Sequence, residues 1–322
     1  MFFRLLGHEM KKFDFYPIVC WDAGLAQRRL DAYPNYKRHL DRLIEANGRL
    51  DIEGKSEEPD EYLEEYRRQR GEIIKILDKL GVPSLRFHGW EGDDLMKLVT
   101  MMAEESIVVT DDRDLMQLLG DKISIRRALN DEIIAGRGHE NELWYTSLGG
   151  NTKCRTMQEY FDKNGYEDIF EMVMVKAIVG DGSDNIPAVT AGLERKFGVG
   201  DTRAKVIAKV IYHNPKNYME ILKEMAENPK HLRDVYGKLP VNPIKGFLQR
   251  QADFMRNMEL VDLGRVEFPD DIKIQVAQEI VSSVGRTDYF GTLALLGDHQ
   301  INNIETDAIV GKLNMLSMSA IS

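Results

Sequence analysis

Cysteine is nearly absent from the 322 residues, with only Cys20 and Cys154 present. That excludes a disulfide framework and a cysteine-held zinc site. Long apolar runs are missing too. None approaches the roughly 20 residues of a membrane helix, so no membrane association is expected. The N-terminal MFFRLLGHEMKKF has charges inside its apolar stretch and no small-residue cleavage site, unlike a signal peptide. Basic residues are in deficit, 43 Lys and Arg against 53 Asp and Glu, for a net charge of −10. Any polyanion binding must therefore rest on local patches. Repeats and low-complexity tracts are lacking. What remains is an ordinary soluble composition, 43% hydrophobic and 30% charged, and a length that suggests about two domains. The expected location is the cytoplasm.

Phe2, Phe3, Leu5, Leu6, Met10 and Phe13 fall at helical spacing. The run 16–21 then reads as a buried parallel strand ending at Asp22. Residues 84–89, 106–110 and 123–127 repeat that pattern. Helices are predicted between them. Tyr62, Tyr66, Ile73, Leu77 and Leu80 share one face that stops at Gly81-Val82-Pro83, and 92–104 and 114–119 are also helical by pattern. Alternating strands and helices predict an α/β domain with a mainly parallel sheet. Residues 38–70 are dense in both signs of charge and read as solvated surface helices. Strand signals fade after about residue 186, which places a domain change near 185. The tail beyond about 286 carries no signal.

The acids are placed informatively. Asp22 ends the first strand; Glu91, Asp93 and Asp94 follow the second; Asp111, Asp112 and Asp114 follow the third. Asp181 and Asp184 follow the apolar segment Phe170–Val179, taken as a fourth strand end. Each alone has a plain structural reading. Asp93 or Asp112 could cap a helix, and Asp181-Gly182-Ser183-Asp184 could be a turn. Together, beyond the carboxyl ends of parallel strands, they mark a ligand edge. Clustered carboxylates repel one another, and hard divalent cations such as Mg²⁺ relieve that repulsion.

Glu91-Gly92-Asp93-Asp94, Thr110-Asp111-Asp112-Arg113-Asp114 and Gly180-Asp181-Gly182-Ser183-Asp184-Asn185-Ile186-Pro187 resemble the acidic signatures of the 5′-nuclease superfamily. That family includes flap endonucleases, phage 5′→3′ exonucleases and the 5′-nuclease domain of bacterial DNA polymerase I. Asp22-Ala23, Arg29 and Tyr36-Lys37 match a further family segment. The resemblance runs from about residue 1 to 265. It implies a PIN-like catalytic domain over 1–185, with a helical arch at about 28–80. A helical DNA-binding domain with a helix-three-turn-helix would follow over 186–285, then a tail over 286–322. It further implies one metal group of Asp22, Glu91, Asp93 and Asp94 and a second of Asp112, Asp114, Asp181 and Asp184. They would hold two or more Mg²⁺ ions, with Mn²⁺ as a substitute. Two such ions about 4 Å apart stabilise the attacking and leaving oxygens of phosphodiester hydrolysis. The implied activity is a structure-specific 5′ nuclease of replication or repair, in a bacterial or phage-infected cytoplasm. Its substrates would be DNA with 5′ flaps, 5′ ends or RNA primers.

Lys37 and Lys176 are the expected catalytic cations. Arg28, Arg29, Arg38 and Tyr36 are expected on the DNA path, Tyr36 as a stacking surface. Phe197-Gly198-Val199-Gly200-Asp201-Thr202-Arg203-Ala204 resembles the family's glycine turn, which implies DNA contacts at Gly198, Gly200 and Arg203 and K⁺ binding there. The chain departs from the family in four ways. Gly stands at position 92 where Ala is usual, Leu40 replaces an Arg, and residues about 190–197 are extra. Nothing resembling the family's first strand, ending Val-Asp-Gly, precedes Asp22. A separately encoded upstream piece, a mis-assigned start or a degenerate protein would each account for this, and the first makes a separately encoded N-terminal fragment a candidate partner. The alternative is a catalytically impaired branched-DNA-binding protein.

Overall fold

In the computed structural model the first apolar run yields only a short strand, β1 (Val19–Cys20), between helices α1 (Phe2–Lys12) and α2 (Gln27–Ala32). Residues 2–37, 59–139, 152–189, 200–230, 240–299 and 305–321 are described. Expectations at Arg38, Leu40, 190–197 and Gly198 lie outside them. β1 pairs in parallel with β2 (Ser84–Leu85), and prolines at 17 and 83, which offer no N–H, stand before both strands. Between them, α3 (Pro59–Leu80) stops where predicted. Gly81 takes the left-handed φ of 74°, and a Cβ there would lie 2.9 Å from the Ser283 carbonyl oxygen.

After α4 (Gly92–Met102), strand β3 (Ser106–Val109) pairs in parallel with β4 (Ile123–Arg127), close to the predicted runs. Residues 114–118 between them form a 3₁₀ turn rather than an α-helix. Two strands were not foreseen. β5 (Glu132–Ala135) returns antiparallel to β4 through a turn with Asp131 at φ 45°, and β6 (Lys153–Thr156) lies parallel to β5. Three of the four strand pairings are parallel, in the orders β1-β2 and β3-β4-β5-β6.

Helices α5 (Met157–Asn164) and α6 (Ile169–Val179) follow. The second corrects the expected fourth strand. Its eleven residues are apolar nearly all round, a pattern that periodicity cannot resolve and length does. Asp168 caps it by accepting a bond from the Glu171 amide at 3.0 Å. Helices α7 (Asp201–His213), α8 (Tyr218–Glu227), α9 (Val241–Gln249) and α10 (Gln251–Val261) surround α6 in one apolar core. A second core lies between the larger sheet, α4, α5 and α11 (Asp270–Ser283). The last segment, without sequence signal, forms α12 (Tyr289–Asp298) and α13 (Thr306–Ile321). Leu296, Ile309, Val310 and Leu313 there pack on Phe3, Met10, Ile76, Leu77 and Leu80 of α1 and α3. Among the described residues no helix is long and apolar enough to cross a membrane.

Candidate metal and nucleic-acid site

Glu91 and Asp94 open α4 as a reciprocal cap. Both are buried, at 3% and 0% exposure, which would be costly for carboxylates without partners. Arg29, itself buried on α2, supplies them. Its guanidinium lies 3.0 Å from Glu91 Oε1 and 3.0 Å from Asp94 Oδ1, while Nε donates to the Leu260 carbonyl at 3.2 Å. Arg28 adds a contact to Asp94 at 3.0 Å and donates to the Glu259 carbonyl. Helix α10 thereby anchors the cations that neutralise the acids of α4. Burial pushes the Glu91 carboxyl up, but Arg29 and Lys37 outweigh it and hold it below the usual range.

Lys37 completes this group. Its Nζ lies 2.7 Å from Glu91 Oε2 and 3.7 Å from Asp184 Oδ1. The residue sits at φ 49°, a left-handed conformation costing a lysine about 1–2 kcal/mol, and its amide donates to the Asp184 carbonyl at 2.9 Å. Such strain is characteristic of functional positions. The Tyr36 hydroxyl lies 3.1 Å from Glu91 Oε2 and 3.2 Å from Asp184 Oδ2. The ring is only 2% exposed and packs in the α6–α10 core, so its expected role as a base-stacking surface is corrected. Arg29 is likewise enclosed and engaged by acids, not open to a phosphate.

Lys176 on α6 holds a second group. Its ammonium bridges Asp114 and Asp181, the latter at 2.9 Å. Burial works against ionisation of Asp181, yet bonds from Ser183 and Lys176 hold it down at about 2. The loop carrying Asp181 and Asp184 depends on Gly180 at φ 77°, where a Cβ would fall 2.5 Å from the Ile186 carbonyl oxygen. Asn257 on α10, fully buried, donates to the carbonyls of Ala177 and Pro187 at 2.8 Å each and braces that loop.

Asp22, Asp93 and Asp112 lie between the two groups. Asp22 Oδ1 accepts the Gly92 amide at 2.7 Å, and a Cβ on Gly92 would approach the same oxygen to 3.3 Å. Asp112 Oδ1 accepts the Asp114 amide at 2.9 Å. Burial, then the charge of Asp112, push Asp93 up to about 7, with Asp22 adding to the repulsion. Asp111 is turned away, accepting from the Leu129 amide at 3.0 Å.

Eight carboxylates thus face four cations, Arg28, Arg29, Lys37 and Lys176, an excess of four carboxylates over cations. An all-carboxylate donor set with unbalanced charge fits hard divalent cations. Among the described residues no three His, Cys, Asp or Glu side chains converge as metal ligands do. Lys37 and Lys176 occupy oxygens that would coordinate, so ligation requires these ammonium groups to withdraw.

Residues 1–143 match the family model of the 5′-3′ exonuclease N-terminal, resolvase-like domain. Over that stretch the chain resembles this exonuclease domain. It is 29% identical over 175 residues to the 5′-3′ exonuclease of Bacillus subtilis, covering 53% of this chain and 47% of that one. It is 26% identical over 252 residues to the thermostable DNA polymerase I of Thermus thermophilus, covering 75% and 24%. The chain therefore spans less than half the length of these curated relatives. Among solved structures, a T5 5′-exonuclease with divalent zinc bound shares the fold, with TM-score 0.50, 19% identity, and coverage of 89% and 83%.

Two site features escaped sequence reasoning. Asn257 lies 70 residues or more from the backbone it braces and has no local signal. Arg70, midway along α3, donates to the Asp22 carbonyl and lies 5.5 Å over the Trp21 ring. Gly200 and Arg203 sit at the exposed start of α7. Gly200 has a negative φ of −83°, and a Cβ there would meet nothing within 4 Å. Neither backbone strain nor packing within the protein demands glycine at that position.

Proposed function

We propose that this chain is a Mg²⁺-dependent, structure-specific 5′ nuclease that hydrolyses phosphodiesters at 5′ flaps and 5′ ends of DNA in replication or repair. The observation that carries the reading is the excess of four carboxylates over cations, gathered beside two lysines. Asp22, Glu91, Asp93 and Asp94 would hold one ion and Asp112, Asp114, Asp181 and Asp184 the other. Bound there, the ions would supply water activation and stabilise the departing 3′ oxygen. Arg29 offsets the charge of Glu91 and Asp94 and aligns them, and Lys37 offers an ammonium to the charge that develops on the scissile phosphate. Lys176 holds Asp114 and Asp181 in register until the substrate and ions arrive. Residues 1–185 would form the catalytic unit, and the helices within 186–285, with Gly200 and Arg203 at the head of α7, would hold the duplex. The decisive experiment is Asp181→Ala in a flap-cleavage assay with Mg²⁺, alongside binding by fluorescence anisotropy. Cleavage should vanish while DNA binding is largely kept; turnover like that of the parent protein would remove the two-ion reading.

A further inference from the structure

The last four carbonyls of an α-helix have no partner within it. In α10 they belong to Met258, Glu259, Leu260 and Val261. The Asp262 amide takes the first at 3.0 Å, and side chains from distant elements take the other three. Arg28 donates to Glu259 at 2.8 Å and Arg29 to Leu260 at 3.2 Å, where the negative end of the helix dipole favours a cation. Gln117, in the 3₁₀ turn after β3, donates its Nε2 to Val261 at 2.9 Å and accepts the Leu263 amide on Oε1 at 2.8 Å. Just beyond, Lys97 of α4 donates to the carbonyls of Leu263, Gly264 and Val266. One turn earlier, Asn257 holds the backbone on both sides of the Asp181 loop. Residues 257–266 thus reach α2, α4, the 3₁₀ turn and the Asp181 loop.

A 3₁₀ helix has three residues per turn, so Asp114 and Gln117 lie one above the other on the same edge. The Gln117 amide is held at two points, which fixes its place and its orientation, and with them the backbone that carries Asp114. Asn257 fixes the Asp181 loop from the same helix. Asp114 and Asp181 are the two acids that Lys176 bridges. Arg28 and Arg29, bound to the next carbonyls along, hold Glu91 and Asp94. Both carboxylate groups therefore hang from one helix end, although none of the eight acids belongs to it. We propose that the end of α10 sets the spacing between the two groups, with Gln117 as a positioning residue for the second. The proposal rests on the two-ion nuclease reading for what that spacing serves, but the support itself requires no catalysis.

The test uses the full chain. Gln117→Met keeps the length of this half-buried side chain and removes both of its hydrogen bonds. Mn²⁺ binding to the metal-free protein, read by calorimetry, should weaken about tenfold, the lower end of what losing the support of a metal ligand costs. In flap cleavage kcat should fall about as much while KM for DNA stays near that of the parent. Arg265→Gln is the control. It breaks the ion pairs with Glu259 and Asp262 at the same helix end but touches no acid of the site, so Mn²⁺ affinity and kcat should not change. Hydrogen exchange on metal-free protein reads the support directly. The Met116 and Leu119 amides of the 3₁₀ turn should exchange about tenfold faster in Gln117→Met, and the mutually bonded Asp181 and Ile186 amides about tenfold faster in Asn257→Ala. Parent-like Mn²⁺ affinity in folded Gln117→Met would overturn the proposal. So would an equal loss in Arg265→Gln, or unchanged exchange in both supporting variants. A parent protein that cuts no flap would instead remove the nuclease reading, while exchange would still decide whether α10 supports the two groups.

Discussion

Replacing Arg29 with leucine strands two buried carboxylates at once. The guanidinium is 3.0 Å from Glu91 and 3.0 Å from Asp94, and all three side chains are at most 5% exposed. Breaking a buried pair by removing one partner costs roughly 3–5 kcal/mol, because the remaining charge is left in a poorly solvated place. Two neighbours soften the loss. Arg28 stays 3.0 Å from Asp94 and Lys37 stays 2.7 Å from Glu91, so neither acid is wholly without a cation. The expected destabilisation is therefore near the lower bound, about 3 kcal/mol. Against a total stability of about 5–15 kcal/mol that is a large fraction. Urea unfolding in EDTA, followed by the fluorescence of the nearby Trp21 and Trp90, would measure it. Arg29→Lys keeps the charge but not the fork that spans two carboxylates, and should recover only part of the loss. A cost below about 1 kcal/mol for Arg29→Leu, the value of an exposed pair, would refute the reasoning.

Two other outcomes follow from the same geometry. Asp93 is raised from the ordinary 3.8 to about 7, so the folded state keeps a proton that the unfolded chain has already released. Metal-free stability should fall as pH rises from about 4 to about 7 and level off above, by about 1–2 kcal/mol after solvent screening. Thermal melts in EDTA should show this slope in the parent and lose it in Asp93→Asn; superimposable profiles would count against the buried repulsion. Gly180→Ala forces a left-handed φ on alanine and drives its Cβ into backbone atoms of Ile186, Pro187 and Ala188. A positive φ with ψ near 180° is open essentially to glycine and alone costs about 1–3 kcal/mol, and because the Asp181 loop must shift, cleavage should fall with stability. A melt within a degree of the parent would contradict the packing.

Much of this protein was legible in its residues. The apolar run Ile107–Val109 marked β3, as a covered strand does, while Ile123 and Ile125 marked β4 more weakly because Ser124, Arg126 and Arg127 interrupt it. Gly81 marked the end of α3, since only a residue free of Cβ strain turns there readily. The order of the acidic signatures marked one ligand edge before any strand was placed. Other features were not local. Phe170–Val179 is apolar nearly all round and follows no period, so its pattern does not separate helix from strand; its length and its burial among α7–α10 do. β5 and β6 are four residues each and take their identity from their neighbours in the sheet. Which cation serves which acid was beyond sequence altogether. Arg29 reaches a carbonyl 231 positions later, and Tyr36 is closed off by helices that arrive only with the chain's second half. Residue type determined that a carboxylate cluster exists; tertiary packing decided which of its members are neutralised and which are left to repel.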